Sequence, residues 1–471
     1  MPFRARTEPV LAVLVCHDGE PWLRPALSAL RALSPRPRHI LAVDTGSSDR
    51  TPVVLAAAAE GPDAVVDGVL TLSRDTGFGA AVHAAVDHGV NRWGDPGRWL
   101  WLLHDDSAPE PDCLGVLLRS AEVSPSAGLL GPLALDWADP RLVVEAGVST
   151  DASGHRQTGV GPTELDWSRF ESPSGNQETF EQSTEVLAVS SAGALIRREV
   201  WDELGGYDPA LALLRDDVDF GWRVNRSGRV ALCVPSARLR HARALTRGLR
   251  PADALTVPVR AADRAHGVRT VLVNCTTVGF LVGLPRLVLL CVARAAGFTL
   301  LRRLSDARAE LGTIAYLLRG RADLRAARTT RRATARAGGG AVRGLLTTRT
   351  TRLRNVFSGG ITNWTRRRAA ADAALNQPRN ATPGSLSGTH ARLRDDPPTR
   401  AAAPPGGAHA LSHDGPPNRA GAPAGGAHAL SQDGSPAPDP QPWDDSAASD
   451  AVAGGWSGGS RGGSPAPDAR S

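Results

Sequence analysis

Short apolar runs alternate with amphipathic stretches through the first half of the chain. "VLAVLVCH" (Val10 to His17) is a continuous apolar run, the pattern of a buried parallel strand. "PWLRPALSALRAL" follows with apolar residues at helical spacing, and "HILAVDTGSSD" (His39 to Asp49) reads as a second strand ending at Asp44 in a Gly/Ser turn. "TPVVLAAAAE" reads as a helix with Pro52 in its first turn, and "GFGAAVHAAVDHGV" as a helix opened by Gly77 and Gly79. "WLWLLHDD" then reads as a strand and "PDCLGVLLRSAE" as a helix. Strands alternating with helices predict an α/β, doubly wound sheet, in which ligands bind beyond the carboxyl ends of the strands. Asp18, Asp44 and Asp106 each fall just past such an end and are expected to converge on one crevice.

Farther on, residues 151–184 turn polar, long for a connection within a domain and typical of binding loops. "EVLAVSSAGALIRREVWDELGGYDPAL" reads as a strand, a small-residue turn, a helix and a Gly-Gly-Tyr-Asp turn. "LLRDDVDFGWRVNRSG" opens a helix on an acidic cluster, and "RVALCVPSARLRHAR" reads as a strand carrying His241. Residues 270–301 are the most apolar of the chain, but the uncharged run Val271 to Leu284 is shorter than the ~20 residues that cross a bilayer. Pro285, Arg286 and Arg294 interrupt its continuation. One kinked span, a membrane hairpin and a helix lying in the interface all fit; the alternative is a pair of soluble helices covering the sheet. The Arg-rich stretch that follows, Arg302 to Arg368, favours an anionic cytoplasmic membrane face.

Composition divides the chain. Residues 1–245 read as one α/β domain, 246–330 as a helical, membrane-associated segment, 331–376 as an Arg-rich linker and 377–471 as a disordered low-complexity tail. The tail repeats "GGAHALSHDG" as "GGAHALSQDG", two copies that build no solenoid. Every one of the 54 basic residues is Arg, and the net charge is +6. Aromatic residues do not interleave with the Arg-rich region, so no nucleic-acid partner is expected. Five scattered Cys form no Cys-x-x-Cys pair and no disulfide framework, which fits a reducing cytoplasm. Arg4 and Arg6 before the first apolar run superficially suggest a secretory signal, but the run is short, lacks a small-residue cleavage site and continues directly into "HDGEPW".

Seven motifs, in order, resemble those of a family 2 glycosyltransferase with the GT-A fold, from about Val10 to Arg243. They are "VLVCHDGEPWLRPALSAL", "HILAVDTGSSDRT", "SRDTGFGAAVHAAV", "WLWLLHDDSAPEPD", "SAGALIRREVWDELGGYDPAL", "RDDVDFGWRV" and "VPSARLRH". The resemblance implies a nucleotide-diphosphate sugar as donor and a divalent metal, manganese or magnesium, that helps the diphosphate leave. It makes Asp106 a metal ligand with His241 completing the coordination, and it sets Asp105 against the ribose or the metal shell. Asp18, Asp44, Asp75 and Gly77 would border the nucleotide. Of the acidic cluster, Asp217 would be the catalytic base and Asp216 would orient the acceptor or the base, while Asp219 would cap the helix.

His104 stands where many relatives carry the first Asp of their metal motif, and Asp18 and Asp75 stand where Asn is common. The Gln-x-x-Arg-Trp motif of processive relatives is absent, so one transfer per encounter is expected. The overall flavour is that of bacterial cell-wall and surface-polysaccharide rhamnosyl- and galactofuranosyl-type enzymes. These imply an inverting reaction, a glycan or polyprenyl-linked acceptor and work at the cytoplasmic face of the membrane. The His104 departure motivates a competing expectation, a catalytically weak relative serving as a membrane-bound assembly partner. A nucleotide-sugar pyrophosphorylase would carry a Gly-rich basic signature that "VCHDGEPWLRP" lacks.

Overall fold

The protein is described by a computed structural model covering residues 7–158, 160, 183–250 and 258–347. Most of the polar 151–184 stretch, most of the Arg-rich linker and all of the tail lie outside the described residues. The anticipated alternation is present: β1 (Thr7–Cys16), α1 (Glu20–Arg31), β2 (Arg36–Asp44), α2 (Thr51–Ala59), β3 (Gly68–Thr71), α3 (Phe78–Trp93) and β4 (Trp99–His104). The next elements are β5 (Ser107–Pro109), α4 (Cys113–Val123), β6 (Ala127–Asp136), β7 (Val143–Glu145), β8 (Ser149–Thr150) and β9 (Arg156–Gln157). Beyond the polar stretch come β10 (Thr184–Val186), β11 (Leu195–Arg197), α5 (Arg198–Leu204), α6 (Asp216–Arg226) and β12 (Val230–His241).

The main sheet runs β10-β12-β6-β11-β4-β1-β2-β3. β4, β1, β2 and β3 are mutually parallel. β11 is antiparallel to both β4 and β6, and β12 is parallel to β6. Crossing β11 therefore reverses direction twice, so β12 ends at the same edge as β1, β2 and β4. Alternation along β1 builds both faces. Val10, Ala12 and Leu14 point to a core with Leu23, Leu27 and Leu30 of α1 and Leu114 and Leu117 of α4. Leu11, Val13 and Val15 point to the opposite core with α3, Trp201, Tyr207 and Phe220. These two apolar layers fix the strand ends, and with them the residues just beyond.

A helical block follows: α7 (Val259–Asn274), α8 (Thr277–Leu300), α9 (Leu304–Arg319), α10 (Arg321–Ala333) and α11 (Gly340–Arg343). The uncharged run expected from Val271 to Leu284 is not continuous in structure. It breaks at Cys275 and Thr276, where Thr276 Oγ1 accepts the Gly279 N–H and caps α8. Its first part is buried: Val271, Leu272 and Val273 pack with Val218, Trp222 and Leu287. Of the candidate segments only α8 has the length and apolarity to cross a bilayer, and one stripe of it, Leu287, Cys291 and Ala295, is buried.

Asp219 differs from its expected role. It is not a helix cap: it lies a full turn into α6, fully buried, and its own N–H donates to the Arg215 carbonyl. Its carboxylate accepts from Arg223 at 2.8 Å, Arg331 at 2.8 Å and Asn274 at 2.7 Å. Arg331 also pairs with Asp208, which pairs with Arg269. A buried carboxylate needs this many donors to offset its lost hydration, and the network ties α6 to α7 and α10. Asp219→Ala would leave the buried Arg223 guanidinium without its carboxylate and Arg331 with Asp208 alone, and is expected to cost about 3–5 kcal/mol. Urea unfolding at neutral pH checks this; a loss under about 1 kcal/mol would contradict the clamp.

Candidate active site

The converging strand ends and the loop before α6 enclose a cavity of about 260 Å³. Asp75, Gly77, Asp105, Asp106, Asp216, Asp217 and His241 all line it, together with His104, Glu145, Arg156 and Arg250.

Asp105 and Asp106 leave β4 as adjacent, buried carboxylates, and each is held differently. Asp105 Oδ2 accepts the His17 N–H at 2.9 Å, and both its oxygens accept from the Arg250 guanidinium. A Cβ on residue 19 would sit 2.2 Å from Asp105 Oδ2, so glycine is required there. Burial raises the Asp105 pKa, and Arg250 opposes the rise without cancelling it. Asp106 uses Oδ2 to accept the Ala244 N–H at 2.7 Å, and its backbone carbonyl accepts from Ala242. Its Oδ1 is buried with no hydrogen-bond donor. Around that oxygen stand His241 Nε2 at 3.5 Å and His104 Nδ1 at 3.8 Å.

The potential ligand atoms of His104, Asp106 and His241 lie within 4.8 Å of one another. An orphaned acceptor facing two imidazoles is a donor set that fits a divalent cation. His104 Nε2 meets Ser191 Oγ at 3.0 Å, which turns Nδ1 towards Asp106. Burial, then the charge of His241, push the His104 imidazole down to about 3, so at neutral pH it is uncharged, as a metal ligand must be. Burial acts to lower His241, but Asp106 outweighs it and raises its pKa. Burial acts to raise Asp106, and the two imidazoles hold it well below the usual carboxylate range. His104 thus joins the group although the sequence marked it only as a departure.

The anticipated nucleotide residues separate. Asp18 has a left-handed backbone, φ 47°, and its side chain does not form part of the cavity wall. Oδ1 accepts the Ser48 N–H at 2.7 Å, and Oδ2 accepts from Arg74 at 2.6 Å. Burial acts to raise its pKa, but Arg74 and Ser48 hold it well below the ordinary value. Asp44 is also buried away from the wall, with Oδ1 accepting the Ser47 N–H at 3.2 Å. Both carboxylates shape the Gly/Ser turn. Asp75 is exposed at the rim. Gly77 begins α3 pressed against the 212 loop, where a Cβ would stand 2.2 Å from the Ala212 carbonyl oxygen.

At the other end of the cavity, α6 starts from strained backbone: Leu214 and Arg215 have φ of 64° and 74°. Arg215 is held by a two-point ion pair to Asp263 on α7. Asp216 and Asp217 follow at once, both buried. Asp217 Oδ1 accepts the Val218 N–H at 2.7 Å, and Oδ2 accepts from Arg156 Nη2 at 2.8 Å. Arg156, on the β8–β9 hairpin, also pairs with Glu145, so one guanidinium spans two buried carboxylates. Burial and then the charge of Asp217 push the Asp216 carboxyl up to about 7. Arg156, Glu145 and Arg250 were not anticipated, because each reaches the cavity from a segment without a local signal.

Residues 8–261 match the family described as Glycosyltransferase like family 2, and the chain belongs to that family. Its mixed sheet is of the GT-A kind, as the motifs implied. An N-acetylglucosaminyl-diphospho-decaprenol L-rhamnosyltransferase of Mycobacterium tuberculosis is 28% identical over 273 residues, 55% of this chain and 86% of that protein. Galactofuranosyltransferase GlfT1 of Mycolicibacterium smegmatis is 25% identical, covering 47% of this chain and 67% of its own. Among solved structures, GalNAc-T7 with UDP, GalNAc and Mn2+ is 18% identical at a TM-score of 0.42, covering 56% of this chain and 48% of that one. Mannosyltransferase PcManGT of Pyrobaculum calidifontis with GDP-Man and Mn2+ is 16% identical at a TM-score of 0.36, covering 78% and 91%. The chain is a glycosyltransferase with cell-wall-related homologues.

The raised Asp216 pKa has a consequence for stability. An unfolded Asp releases its proton near pH ~3.9, whereas folded Asp216 releases it near 7. Between those values unfolding releases a proton, so this residue's contribution is full at low pH and is lost as pH rises through its folded pKa. Asp216→Asn should therefore unfold at a higher temperature than the wild type at about pH 8, with little difference at about pH 4. Equal unfolding temperatures at alkaline pH would contradict the like-charge strain.

Proposed function

We propose that this chain is an inverting, non-processive transferase that moves a sugar from a nucleotide-diphosphate donor to a hydroxyl of a glycan or polyprenyl-linked acceptor. Its setting would be cell-wall or surface-polysaccharide synthesis at the cytoplasmic face of a bacterial membrane. The reading assigns the transfer chemistry to residues 1–245 and the membrane contact to 246–330. One observation carries it: a single cavity joins the His104–Asp106–His241 group to the Asp216–Asp217 pair. The mycobacterial rhamnosyltransferase supports the acceptor class, because its name makes a decaprenol-linked sugar its acceptor.

Asp106, His104 and His241 would hold the divalent cation, and two nitrogen donors beside one oxygen suit manganese better than magnesium. A cation bound there would offset the negative charge that builds on the departing diphosphate. Arg250, held against Asp105, adds positive charge at the same end. Asp18 and Asp44 set the turn that borders the nucleotide, and Asp75 and Gly77 form its rim. At the acceptor end, the base comes from the acidic pair. The resemblance favours Asp217. The geometry favours Asp216, whose pKa near 7 suits general base catalysis, while Arg156 occupies Asp217 and keeps it as the orienting partner. The assembly-partner alternative loses its motive, because His104 faces Asp106 and contributes a donor to the group.

Two outcomes test this assignment. Manganese should raise the thermal stability of the wild type, by about 2.7 kcal/mol at roughly a hundredfold excess over Kd, and Asp106→Asn should abolish the rise; an undiminished rise would remove Asp106 from the site. Asp216→Asn should lower kcat by about a hundredfold or more, and wild-type kcat/KM should fall as pH drops through about 7, where the base takes up its proton. Asp217→Asn should act more on acceptor KM. The reverse pattern would transfer the base to Asp217.

A further inference from the structure

The helical block carries a surface that the transfer site does not use. Val278, Leu281, Val282, Leu289, Val292 and Leu300 recur at helical spacing along α8, each between 47% and 86% exposed. Continuing onto α9, Leu304, Leu311 and Leu318 are exposed beside Arg308 and Arg319. An outward stripe this apolar is far from an ordinary solvated helix face. The two charged residues of α8 both turn inward. Arg286 donates to the Ala152 carbonyl, and Arg294 pairs with Glu310 at 2.6 Å and meets His155 Nε2 at 3.0 Å. These contacts, with the buried Leu287, Cys291 and Ala295, fasten one side of α8 to the domain. A helix fastened along one side cannot be surrounded by lipid, but it can rest half-immersed at an interface.

Where α7 ends and α8 begins lies a second cavity of about 260 Å³ with four arginines in its wall. Arg223 and Arg331 are neutralised by Asp219 and Asp208. Arg226 and Arg332 have no carboxylate partner among the described residues; Arg332 donates to Thr277 Oγ1 at 3.1 Å. The cavity adjoins the first turn of α8, where the apolar stripe starts at Val278. Uncompensated positive charge beside an apolar face matches the headgroup and acyl boundary of an anionic phospholipid surface.

We propose that α8 and α9 lie in the plane of an anionic membrane, with a phospholipid phosphate seated between Arg226 and Arg332. The test is binding rather than transfer, so its failure is separate from failure of the proposed reaction. Full-length protein should sediment with phosphatidylcholine vesicles containing phosphatidylglycerol and far less with phosphatidylcholine alone. Arg226→Gln with Arg332→Gln should weaken that binding by roughly tenfold or more, whereas the charge-matched pair Arg24→Gln with Arg119→Gln, exposed on α1 and α4, should change it much less. Leu281→Glu with Leu289→Glu should abolish it, with manganese-induced stabilisation retained as proof of folding. From bacterial membranes, alkaline carbonate should release the wild type. Equal weakening by both arginine pairs would reduce the pocket to diffuse charge, and carbonate resistance would make α8 a spanning helix. Vesicle-independent self-association that Leu281→Glu with Leu289→Glu removes would put a second copy on the face. Each of these results would overturn the proposal.

Discussion

Two adjacent carboxylates buried at the end of one strand constrain this fold more than any other feature. Asp105 and Asp106 are nearly without solvent, and such a pair persists only if each charge finds its own compensation. Asp105 takes a guanidinium from the segment after β12, and the Asp106 carboxylate takes one backbone N–H, that of Ala244, and faces two imidazoles. Satisfying both draws β1, β4, β12 and the Arg250 segment to one edge of the sheet. The opposite end of the cavity repeats the problem with a different answer. Asp217 shares one guanidinium, that of Arg156, with Glu145, and Asp216, which has no such partner among the described residues, meets the shortfall by holding its proton towards neutral pH.

The two ends are coupled through side chains rather than a single element. Glu145 lies in the cavity wall beside His241 and holds Arg156, which holds Asp217. Arg215 anchors the strained entry to α6 on Asp263 of α7, and Asp219 locks the same helix to α10. The helical block therefore braces the acidic pair as well as presenting its own outer face. Asp217 is positioned from one side by the β8–β9 hairpin and from the other by helices outside the sheet.

Much of this was legible in the sequence. Apolar runs bounded by turns marked β1, β4, the second half of β2 and the first half of β12, because burial on both sheet faces keeps those stretches apolar. The short strands β5, β7 and β11 are three residues each, too few to show a period. β6 was hidden by Gly128, Gly131 and Pro132, residues that ordinarily weaken a strand. Gly131 is needed because a Cβ there would lie 2.4 Å from Val189. Motif order pointed to Asp105, Asp106, His241, Asp216 and Asp217, all of which line the cavity. It could not place Arg156 or Arg250, whose partners lie 61 and 145 residues away in sequence. It also took Asp219 for a cap, because Arg331, which together with Arg223 neutralises it in the interior, comes 112 residues later.

The most direct test of the central account is a panel of nucleotide-diphosphate sugars offered to the full-length protein with manganese and a polyprenyl-diphosphate-linked sugar acceptor, following release of nucleoside diphosphate and the anomeric configuration of the product. The account predicts acceptor-dependent release from one donor, a product of inverted configuration, and loss of both when manganese is chelated. Retention of configuration, or no release from any donor although manganese binds and the protein is folded, would contradict it.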